Sequence, residues 1–392
     1  MASDAFIISG IRTPIGAMGG ALSEVPAPEL GSTSIQKALE LAGVKPESVC
    51  EVVMGNVVGA GLGQNPARQA SIRAGLPVSV GATTVNKVCG SGLKAVMMGT
   101  QAIRLEEAQI VVAGGMENMS RAPYLLTKAR QGYRMGNGEL VDAMIHDGLW
   151  DVYGDKHMGT YGDQCAAQCN LSKQDQDDFA VRSHTRARKA IADGVFQNEI
   201  VPVEVKMRKQ TVTVSEDEGP SKFNEEKLRN LRPAFGAEGT VSAGNASSIN
   251  DGGAALVLAS QQACEKQGLK PIARVVGYCT FSREPEWFTL APIGSLRKLF
   301  EQTGWSVENT DLFEINEAFA AVTMAAEQDL KIPAEKVNIY GGAVALGHPI
   351  GCSGARILVT LLNGLKQTGG KRGIASLCIG GGEAVALAVE LT

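Results

Sequence analysis

Three short segments of this chain place a reactive side chain among glycines. Cys89 follows an apolar run and precedes Gly90-Ser91-Gly92, after which a helical pattern extends to about Leu105. A thiol at such a strand-to-helix turn lies near the free N–H groups and the positive dipole end of the helix, and both stabilise its nucleophilic thiolate. The other two segments are Gly347-His348-Pro349 and Cys378-Ile379-Gly380-Gly381-Gly382. Together the three segments predict covalent catalysis by a cysteine.

The side chains in these segments have complementary chemical roles. Cys89 needs a base, and His348 is the candidate, although a lone histidine in a glycine-rich loop is often structural. Cys378 could be an inert buried thiol, but the glycines after it favour function, because successive bare N–H groups can form an oxyanion hole. Asn316 could hold a polarising water, or it could cap the helix expected from Ala318 onward.

The two ends of the chain resemble each other in the same order. Residues 51–56 are echoed by 311–316, residues 91–94 by 353–356, and residues 113–116 by 379–382. Each half therefore contains a strand ending in Asn, a Gly-rich turn into a helix, and a strand ending in Gly-Gly. This pattern predicts a duplicated α/β unit with mixed, mostly parallel sheets. Cys89 and His348 then lie at equivalent turns of two facing halves, which favours their pairing.

The composition is that of a multi-domain enzyme. The chain has 392 residues, of which 44% are hydrophobic, and its net charge is −4. This length exceeds what one hydrophobic core accommodates, and the negative balance disfavours a nucleic-acid partner. No run of about 18 apolar residues predicts a membrane span. Ala5–Gly10 is expected to form the first strand, and the residues before it show no leader pattern.

The cysteines and histidines indicate a reducing compartment without a metal site. Eight cysteines are scattered without a CxxC pair, and none of the four histidines stands at metal-ligand spacing from Cys165 and Cys169. Such single thiols are typical of a reducing environment, so we expect a cytoplasmic protein.

The middle of the chain differs from both ends. From about Met119 to Ile249 the apolar runs become sparse and charges cluster, as in the polar helix expected from Asp175 through Arg188. A charge run is usually a solvated face, but this segment could also be an insertion that covers a site. It ends in a run of small and polar residues along which a long ligand could lie flat.

Four motifs resemble the signature blocks of the thiolases, and the resemblance extends over essentially the whole chain. It is closest to the biosynthetic type. A ketoacyl or hydroxymethylglutaryl synthase of the same superfamily fits less well, because it pairs its cysteine with His–His or His–Glu rather than with a second cysteine. A thioester hydrolase, a second alternative, would use water in place of a second acyl-CoA and release free acetate. A non-catalytic carrier would have no need of all three reactive positions. The four motifs are Val85-Asn86-Lys87-Val88-Cys89-Gly90-Ser91-Gly92, Asn316-Glu317-Ala318-Phe319-Ala320, residues 341–351 around His348, and Cys378-Ile379-Gly380-Gly381-Gly382.

The resemblance implies a fold and a domain division. The fold would be α/β, a thiolase-like duplicated α/β unit in five layers, αβαβα, with an inserted covering loop domain. Residues 1–118 plus 250–270 would form the N-terminal half, residues 119–249 the loop domain over the coenzyme A site, and residues 271–392 the C-terminal half. Relatives are dimers and tetramers, and a homotetramer is expected by analogy.

The resemblance also implies a reaction, the reversible Claisen condensation of two acetyl-CoA molecules to acetoacetyl-CoA and CoA. His348 would activate Cys89, which carries the acetyl group, and Cys378 would remove a proton from the second acetyl-CoA. His348 and a water held by Asn316 would stabilise the enolate, and the N–H groups of Cys89 and Gly380 the tetrahedral intermediate. No permanently bound cofactor and no metal is implied; coenzyme A thioesters are the substrates. The alternative is a thiolase of broader 3-ketoacyl-CoA chain length that works in the degradative direction.

The coenzyme A contacts of the family transfer to matching positions between the insertion and the main body. They are His157, Met158, Ala234, Phe235, Ala243, Gly244, Ser247, Ala318 and Phe319.

Two departures from the family pattern bear on the site. Phe288 stands where relatives have a pocket-lining Met, and is expected to narrow or reshape the acyl site. Glu383 follows the last glycine triplet where Met or Gln is usual, and a carboxylate there must be paired or exposed. A side hypothesis is that oxidation joins Cys89 to Cys378 and stops turnover.

Overall fold

The protein is built from a large mixed sheet, helices on and between its two halves, and a segment of small strands and helices between residues 119 and 249. The computed structural model describes residues 4–206, 208 and 210–392. The strands are β1 Ala5–Arg12, β2 Gly16–Ala17, β3 Glu51–Gly55, β4 Gly81–Val85, β5 Ile110–Asn118, β6 Tyr124–Leu125, β7 Val141–Asp142, β8 Trp150–Asp151, β9 Lys156–His157, β10 Val203–Lys206, β11 Thr211–Val214, β12 Asn250–Ser260, β13 Ala273–Ser282, β14 Leu312–Ile315, β15 Arg372–Ile379 and β16 Glu383–Leu391.

Twelve α-helices accompany these strands within the described ranges. They are α1 Ala27–Ala42, α2 Pro66–Arg73, α3 Ser91–Arg104, α4 Met158–Gln168, α5 Lys173–Ala192, α6 Glu218–Ser221, α7 Glu225–Arg229, α8 Gln261–Gln267, α9 Ala291–Thr303, α10 Ala320–Leu330, α11 Ala343–Leu346 and α12 Ser353–Thr368. Short 3₁₀ or π turns cover Pro46–Ser48, Met119–Arg121, Met144–Leu149, Val195–Asn198, Pro285–Leu290 and Ala334–Lys336. None of the helices described here is long and apolar enough to cross a membrane.

The main sheet consists of two halves that meet at a narrow seam. Its strand order is β14-β15-β16-β13-β1-β12-β5-β3-β4, with β2 added beside β12. At the seam, β1 and β13 pair only through Phe6 with Arg274 and Ile7 with Ala273. The sequence correctly predicted mixed pairing, but the prediction of mostly parallel strands is wrong. Parallel pairs join β3 to β4, β3 to β5 and β14 to β15. The remaining pairs are antiparallel, formed either by a hairpin, as between β15 and β16, or by strands distant in the chain, as between β5 and β12.

Alternating side chains produce the five layers. On β5, Val111 and Ala113 face a core between the two half-sheets, and Ile110 and Val112 face the opposite side. Such alternation follows from the two-residue period of a strand. The central core contains α3 and α12; α1, α2 and α8 cover the N-terminal half-sheet, and α9 and α10 the C-terminal one. The αβαβα arrangement expected from the sequence is confirmed by this packing.

The internal repeat is visible in two of its three parts. Asn56 and Asn316 each follow a strand, and Ser91 and Ser353 are each the first residue of a central helix. The third part is wrong in detail, because Gly114 and Gly115 lie inside β5 rather than at its end. A Cβ on Gly115 would stand 2.1 Å from the carbonyl oxygen of Gly351, so close packing explains this glycine.

The segment between β5 and β12 contains the small strands β6 to β11 and the helices α4 to α7. Its polar helix α5 begins two residues before the predicted Asp175. Ser172 and Asp175 form a capping box at its start, which satisfies two backbone N–H groups that would otherwise lack partners.

Candidate active site

Cys89 lies in the turn between β4 and α3. Val88, immediately before it, has a φ of 45°, an uncommon value for a β-branched residue. The turn is held from within, because the Lys87 N–H donates to Ser91 Oγ at 2.8 Å and the Ser91 hydroxyl donates to the Val88 carbonyl at 2.7 Å. This geometry directs the half-buried Cys89 thiol toward the C-terminal half of the molecule, where the Gly380 N–H contacts it.

The helix terminus next to Cys89 does not by itself make the thiol a thiolate. Burial raises the pKa of the Cys89 thiol to about 12, and the N–H groups of Gly380 and of Cys89 itself oppose this shift only in part. Desolvation outweighs the helix terminus because Cys89 precedes the helix cap, Gly90, and packs among apolar side chains. The thiol is therefore neutral at rest and needs a base at the moment of reaction.

Cys378 lies near the end of β15 and is fully buried. Burial raises its pKa well above the usual value, and a charge on Cys89 raises it further, so the two thiols are within electrostatic reach of each other. The hairpin that follows requires glycine at two positions, because Gly381 and Gly382 have φ values of 89° and 90°. All eight cysteines are free thiols.

His348 is held at its backbone and at its ring. Its N–H donates to Asn250 Oδ1 at 2.9 Å, and its Nδ1 lies 2.6 Å from Ser353 Oγ. The Ser353 hydroxyl donates to the Pro349 carbonyl at 2.8 Å. Since a hydroxyl has one hydrogen, Nδ1 must then be the donor to Ser353, which leaves Nε2 without a proton. Burial, and secondarily the charge of Arg356, lowers the pKa of His348 to about 3, so the ring is neutral with a free lone pair.

Asn316 lies beside this lone pair. Its Nδ2 is 3.5 Å from His348 Nε2, and its buried Oδ1 has no hydrogen-bond partner among the described residues. The alternative role as a helix cap is wrong, because α10 begins at Ala320 after Phe319 and has no side-chain cap. An orphaned buried amide oxygen is consistent with an ordered water at this position.

Sequence reasoning missed three residues that position the site. Asn250 and Ser353 hold His348, and the buried Glu117 accepts N–H groups from Val57 at 3.0 Å and Gly351 at 2.9 Å. Burial raises the pKa of Glu117 to about 7. The internal repeat contained a signal for Ser353, since the equivalent residue Ser91 also donates a hydrogen bond to a carbonyl of the preceding turn. Nothing in the sequence distinguished Asn250 or Glu117 from ordinary polar residues.

The expected coenzyme A contacts fall into two groups. His157 stacks on Phe235 with ring centroids 4.7 Å apart, and Phe235 meets the edge of Phe319 at 6.3 Å. Met158 and Ala318 pack in the same apolar cluster as Cys378. Members of the second group form hydrogen bonds to backbone carbonyls. Ser247 Oγ donates to the Ala318 carbonyl at 2.9 Å, and the Ala234 N–H donates to the Val241 carbonyl at 2.9 Å. Gly244 is half-buried, and Ala234 and Ala243 are exposed.

An open cavity of about 470 Å³ adjoins the two cysteine-bearing segments. Its lining includes Val88, Met158 and Gly380, together with Trp150 and Tyr153 from the segment between β5 and β12. Phe288 is 2% exposed and packs in the same apolar cluster as Cys378, with Tyr161 edge-on at 6.2 Å. In the described parts of the chain, no group of three or more His, Cys, Asp or Glu residues is placed to hold a metal ion.

Comparison with known proteins agrees with this geometry. Residues 5–262 match the model of the thiolase N-terminal domain, and residues 269–391 match that of the thiolase C-terminal domain. The chain is 50% identical over 386 residues to an acetyl-CoA acetyltransferase of Chromobacterium violaceum, covering 98% of each chain. It is 52% identical over 392 residues to acetyl-CoA acetyltransferase 2 of Arabidopsis thaliana, covering 99% of this chain and 97% of that one.

A solved structure is similar over the same extent. The crystal structure of the Bacillus anthracis acetyl-CoA acetyltransferase superposes with a TM-score of 0.98 at 43% identity, and the match covers 100% of this chain and 99% of that one. Full-length matches of this kind, together with the two family models, leave one assignment: the chain belongs to the thiolase family.

Proposed function

We propose that this thiolase is an acetyl-CoA C-acetyltransferase that condenses two acetyl-CoA molecules to acetoacetyl-CoA and CoA, reversibly, through an acetyl-Cys89 intermediate. The observation that carries the proposal is that Cys378 and the Gly380 N–H come up to Cys89 beside an open cavity of about 470 Å³. The neutral His348, next to Asn316, is the candidate base. The relatives named acetyl-CoA acetyltransferase, alike over nearly the full chain, support the same activity.

The first half-reaction transfers an acetyl group to Cys89. His348 Nε2 accepts the thiol proton as the sulfur attacks the thioester carbonyl, which suits a neutral imidazole beside a neutral thiol. The N–H groups of Cys89 and Gly380 stabilise the oxyanion. The CoA sulfur leaves with the proton of Cys378, so acetyl-Cys89, protonated His348 and a Cys378 thiolate remain.

The second half-reaction forms the carbon–carbon bond. The Cys378 thiolate removes a proton from the methyl group of a second acetyl-CoA, and protonated His348 with the water expected at Asn316 stabilises the enolate oxygen. The carbanion attacks the acetyl carbonyl, and Cys89 leaves and recovers its proton from His348. Burial that raises the pKa of Cys378 makes its thiolate a stronger base for a weakly acidic C–H group.

A thiolase of broader chain length is the second candidate. It would use the same groups in the thiolytic direction, since metabolite levels rather than geometry set the direction. The bulk of Phe288, which packs in the same apolar cluster as Cys378, supports a short acyl group over this alternative.

We extend the proposal to assembly and location. Apolar side chains are exposed along residues 124–140, and this concentration supports burial against other copies of the chain in a homotetramer. They are Tyr124, Leu126, Tyr133, Met135 and Leu140, exposed by 63%, 49%, 40%, 99% and 62%. Eight free thiols favour a reducing compartment, and we propose the cytoplasm.

The function is tested by mixing the purified enzyme with acetyl-CoA and measuring protein-bound acetyl by mass spectrometry and acetoacetyl-CoA by absorbance. Cys89→Ser should form no acyl enzyme. Cys378→Ser should still form acyl-Cys89, more slowly because Cys378 also protonates the departing CoA, and should condense at least about a hundredfold more slowly, as expected for loss of a general base. Cys264→Ser, a remote buried thiol, is the matched control. Normal condensation by Cys378→Ser would remove that residue from the mechanism, and free acetate without acetoacetyl-CoA would indicate a hydrolase.

A further inference from the structure

An ion pair joins the two segments that contain the proposed catalytic cysteines. Lys87 Nζ contacts Glu383 Oε2, and Glu383 Oε1 also accepts the Ser282 hydroxyl at 3.1 Å. Lys87 lies two residues before Cys89, and Glu383 five residues after Cys378. In the described ranges, no other ion pair connects the β4–α3 turn to the β15–β16 hairpin.

The two segments lie antiparallel. From Lys87 forward to Gly90, the contacted residues go backward from Glu383 to Ile379. Gly90 packs against Ile379, where a Cβ on the glycine would stand 2.4 Å from the isoleucine Cδ1. The Gly380 N–H contacts Cys89 Sγ next to this point. The Lys87–Glu383 ion pair lies on the other, more exposed side of this contact. The cysteine–glycine contact is therefore bracketed by apolar packing on one side and by an ion pair on the other.

The turn that contains Cys89 needs an external tether. Val88 at a φ of 45° stores about 1–3 kcal/mol of backbone strain. The bond from the Val88 N–H to Asn86 Oδ1 at 3.0 Å and those of Ser91 lie inside the turn, so they fix its shape but not its distance from the hairpin. The ion pair supplies a link across the gap.

We propose that Glu383 is a positioning residue, which acts through Lys87 to hold the Gly380 N–H against Cys89. The expected loss of kcat rests on the proposed function, whereas the expected displacement of the Gly380 N–H from Cys89 does not. The side chains of Lys87 and Glu383 are 19% and 31% exposed, and such a pair contributes little to global stability. Its effect is on geometry, since displacement of reacting groups by about 1 Å can cost about a hundredfold in rate.

The test compares Glu383→Gln and Lys87→Met with Glu390→Gln. Glu390 is a matched control at the far end of the same strand, where it pairs with Arg372 and Arg274 at a similar exposure of 29%. The proposal expects both site variants to lower kcat for condensation about tenfold with KM changed less than about twofold, as for a lost positioning contact. The control should keep wild-type kcat. The exchanged pair Lys87→Glu with Glu383→Lys should recover most of the loss.

A second readout does not depend on the reaction. The rate of Cys89 alkylation by iodoacetamide at one fixed pH should fall severalfold in Glu383→Gln, because loss of the Gly380 N–H contact disfavours the thiolate. Wild-type alkylation in the variant, or equal losses in the Glu390→Gln control, would overturn the positioning role. If the wild-type enzyme lacked acetyl transfer altogether, the proposed function would fail, while the alkylation rates would still decide the role of Glu383.

Discussion

Gly92 and Gly354 pack against each other's helix where α3 and α12 begin. A Cβ on Gly92 would stand 2.7 Å from the backbone nitrogen of Ala355, and a Cβ on Gly354 would stand 2.2 Å from that of Leu93. The two glycines are the equivalent positions of the internal repeat. Their contact brings together the turns that contain Cys89 and His348.

Gly354→Ala should therefore destabilise the protein although alanine is the better helix former. Alanine gains about 1 kcal/mol of helix propensity over glycine, but the overlap with a backbone nitrogen that cannot move away costs more. We expect a net loss of about 2 kcal/mol in the free energy of unfolding, measured by urea denaturation. Gly81→Ala is the control, because a Cβ at Gly81 meets nothing within 4 Å. Equal stability of the two variants would contradict close packing at the helix crossing.

The fold around this contact was predictable from the sequence only in part. Spacing and residue type predicted the duplicated unit and the two turns with Cys89 and His348, since both depend on short-range pattern. The parallel or antiparallel sense of each pair was not predictable in this way. It depends on which strands the central helices bring together, and β12 and β16 return antiparallel beside β5 and β15.

The reacting side chains of the site were predictable from the sequence, but the residues that position them were not. Cys89, His348 and Cys378 stand among glycines that mark unusual backbone. Asn250 and Glu117 are single polar residues whose role arises only when distant segments meet, as when Glu117 accepts the N–H of Gly351 across 234 positions. The sequence pattern shows the helix terminus beside Cys89 but not the burial that raises the pKa of its thiol, because the residues that desolvate it lie far along the chain.

Ser353 is expected to fix the tautomer of His348. Ser353→Ala would leave the buried Nδ1–H without a partner, so the proton would be free to occupy Nε2 and block its role as base. We expect acylation of Cys89 by acetyl-CoA to slow by about tenfold or more, equivalent to about 1.4 kcal/mol in the barrier. Ser353→Thr keeps the hydroxyl and should restore most of the rate. Rapid-quench acylation followed by mass spectrometry measures both, and a wild-type rate in Ser353→Ala would show that the hydroxyl is dispensable.

The raised pKa of Cys89 predicts the pH dependence of its reactivity without substrate. Alkylation proceeds through the thiolate, and a thiol whose pKa is about 12 is mostly protonated at all lower pH values. The rate of modification by iodoacetamide should then rise about tenfold per pH unit from pH 7 to pH 10 and should not level off, as a simple titration requires. A plateau above pH 8 would mean that the thiolate forms far more easily than burial allows. The rate is measured on the Cys50→Ser/Cys169→Ser background, which removes an exposed thiol and a half-buried thiol whose pKa is lowered to about 7.

The exposed apolar side chains of residues 124–140 predict the effect of charge on assembly. Met135→Glu combined with Leu140→Glu should convert a tetramer to a smaller species, because each introduced carboxylate would have to be buried at the interface. Light scattering after size-exclusion chromatography gives the mass. Leu105→Glu, at another site of similar exposure (69%), should leave the assembly unchanged. An unaltered mass in the double variant would place the interface elsewhere.

Phe288 is expected to set the acyl length that the site accepts. Phe288→Leu removes ring volume from the apolar cluster that contains Cys378. Each methylene bound in the freed space is worth about 1–3 kcal/mol, and a 3-ketohexanoyl group has two more methylenes than an acetoacetyl group. The ratio of kcat/KM for thiolysis of 3-ketohexanoyl-CoA to that of acetoacetyl-CoA should therefore rise about tenfold or more. Phe313→Leu is a matched control, since Phe313 is 1% exposed and lies in the outer core of the C-terminal half. It should lose stability without a change in the ratio. If the wild-type enzyme already prefers the longer substrate, the broader-chain alternative gains over the acetyl-specific proposal, because the ring would then leave the acyl path open.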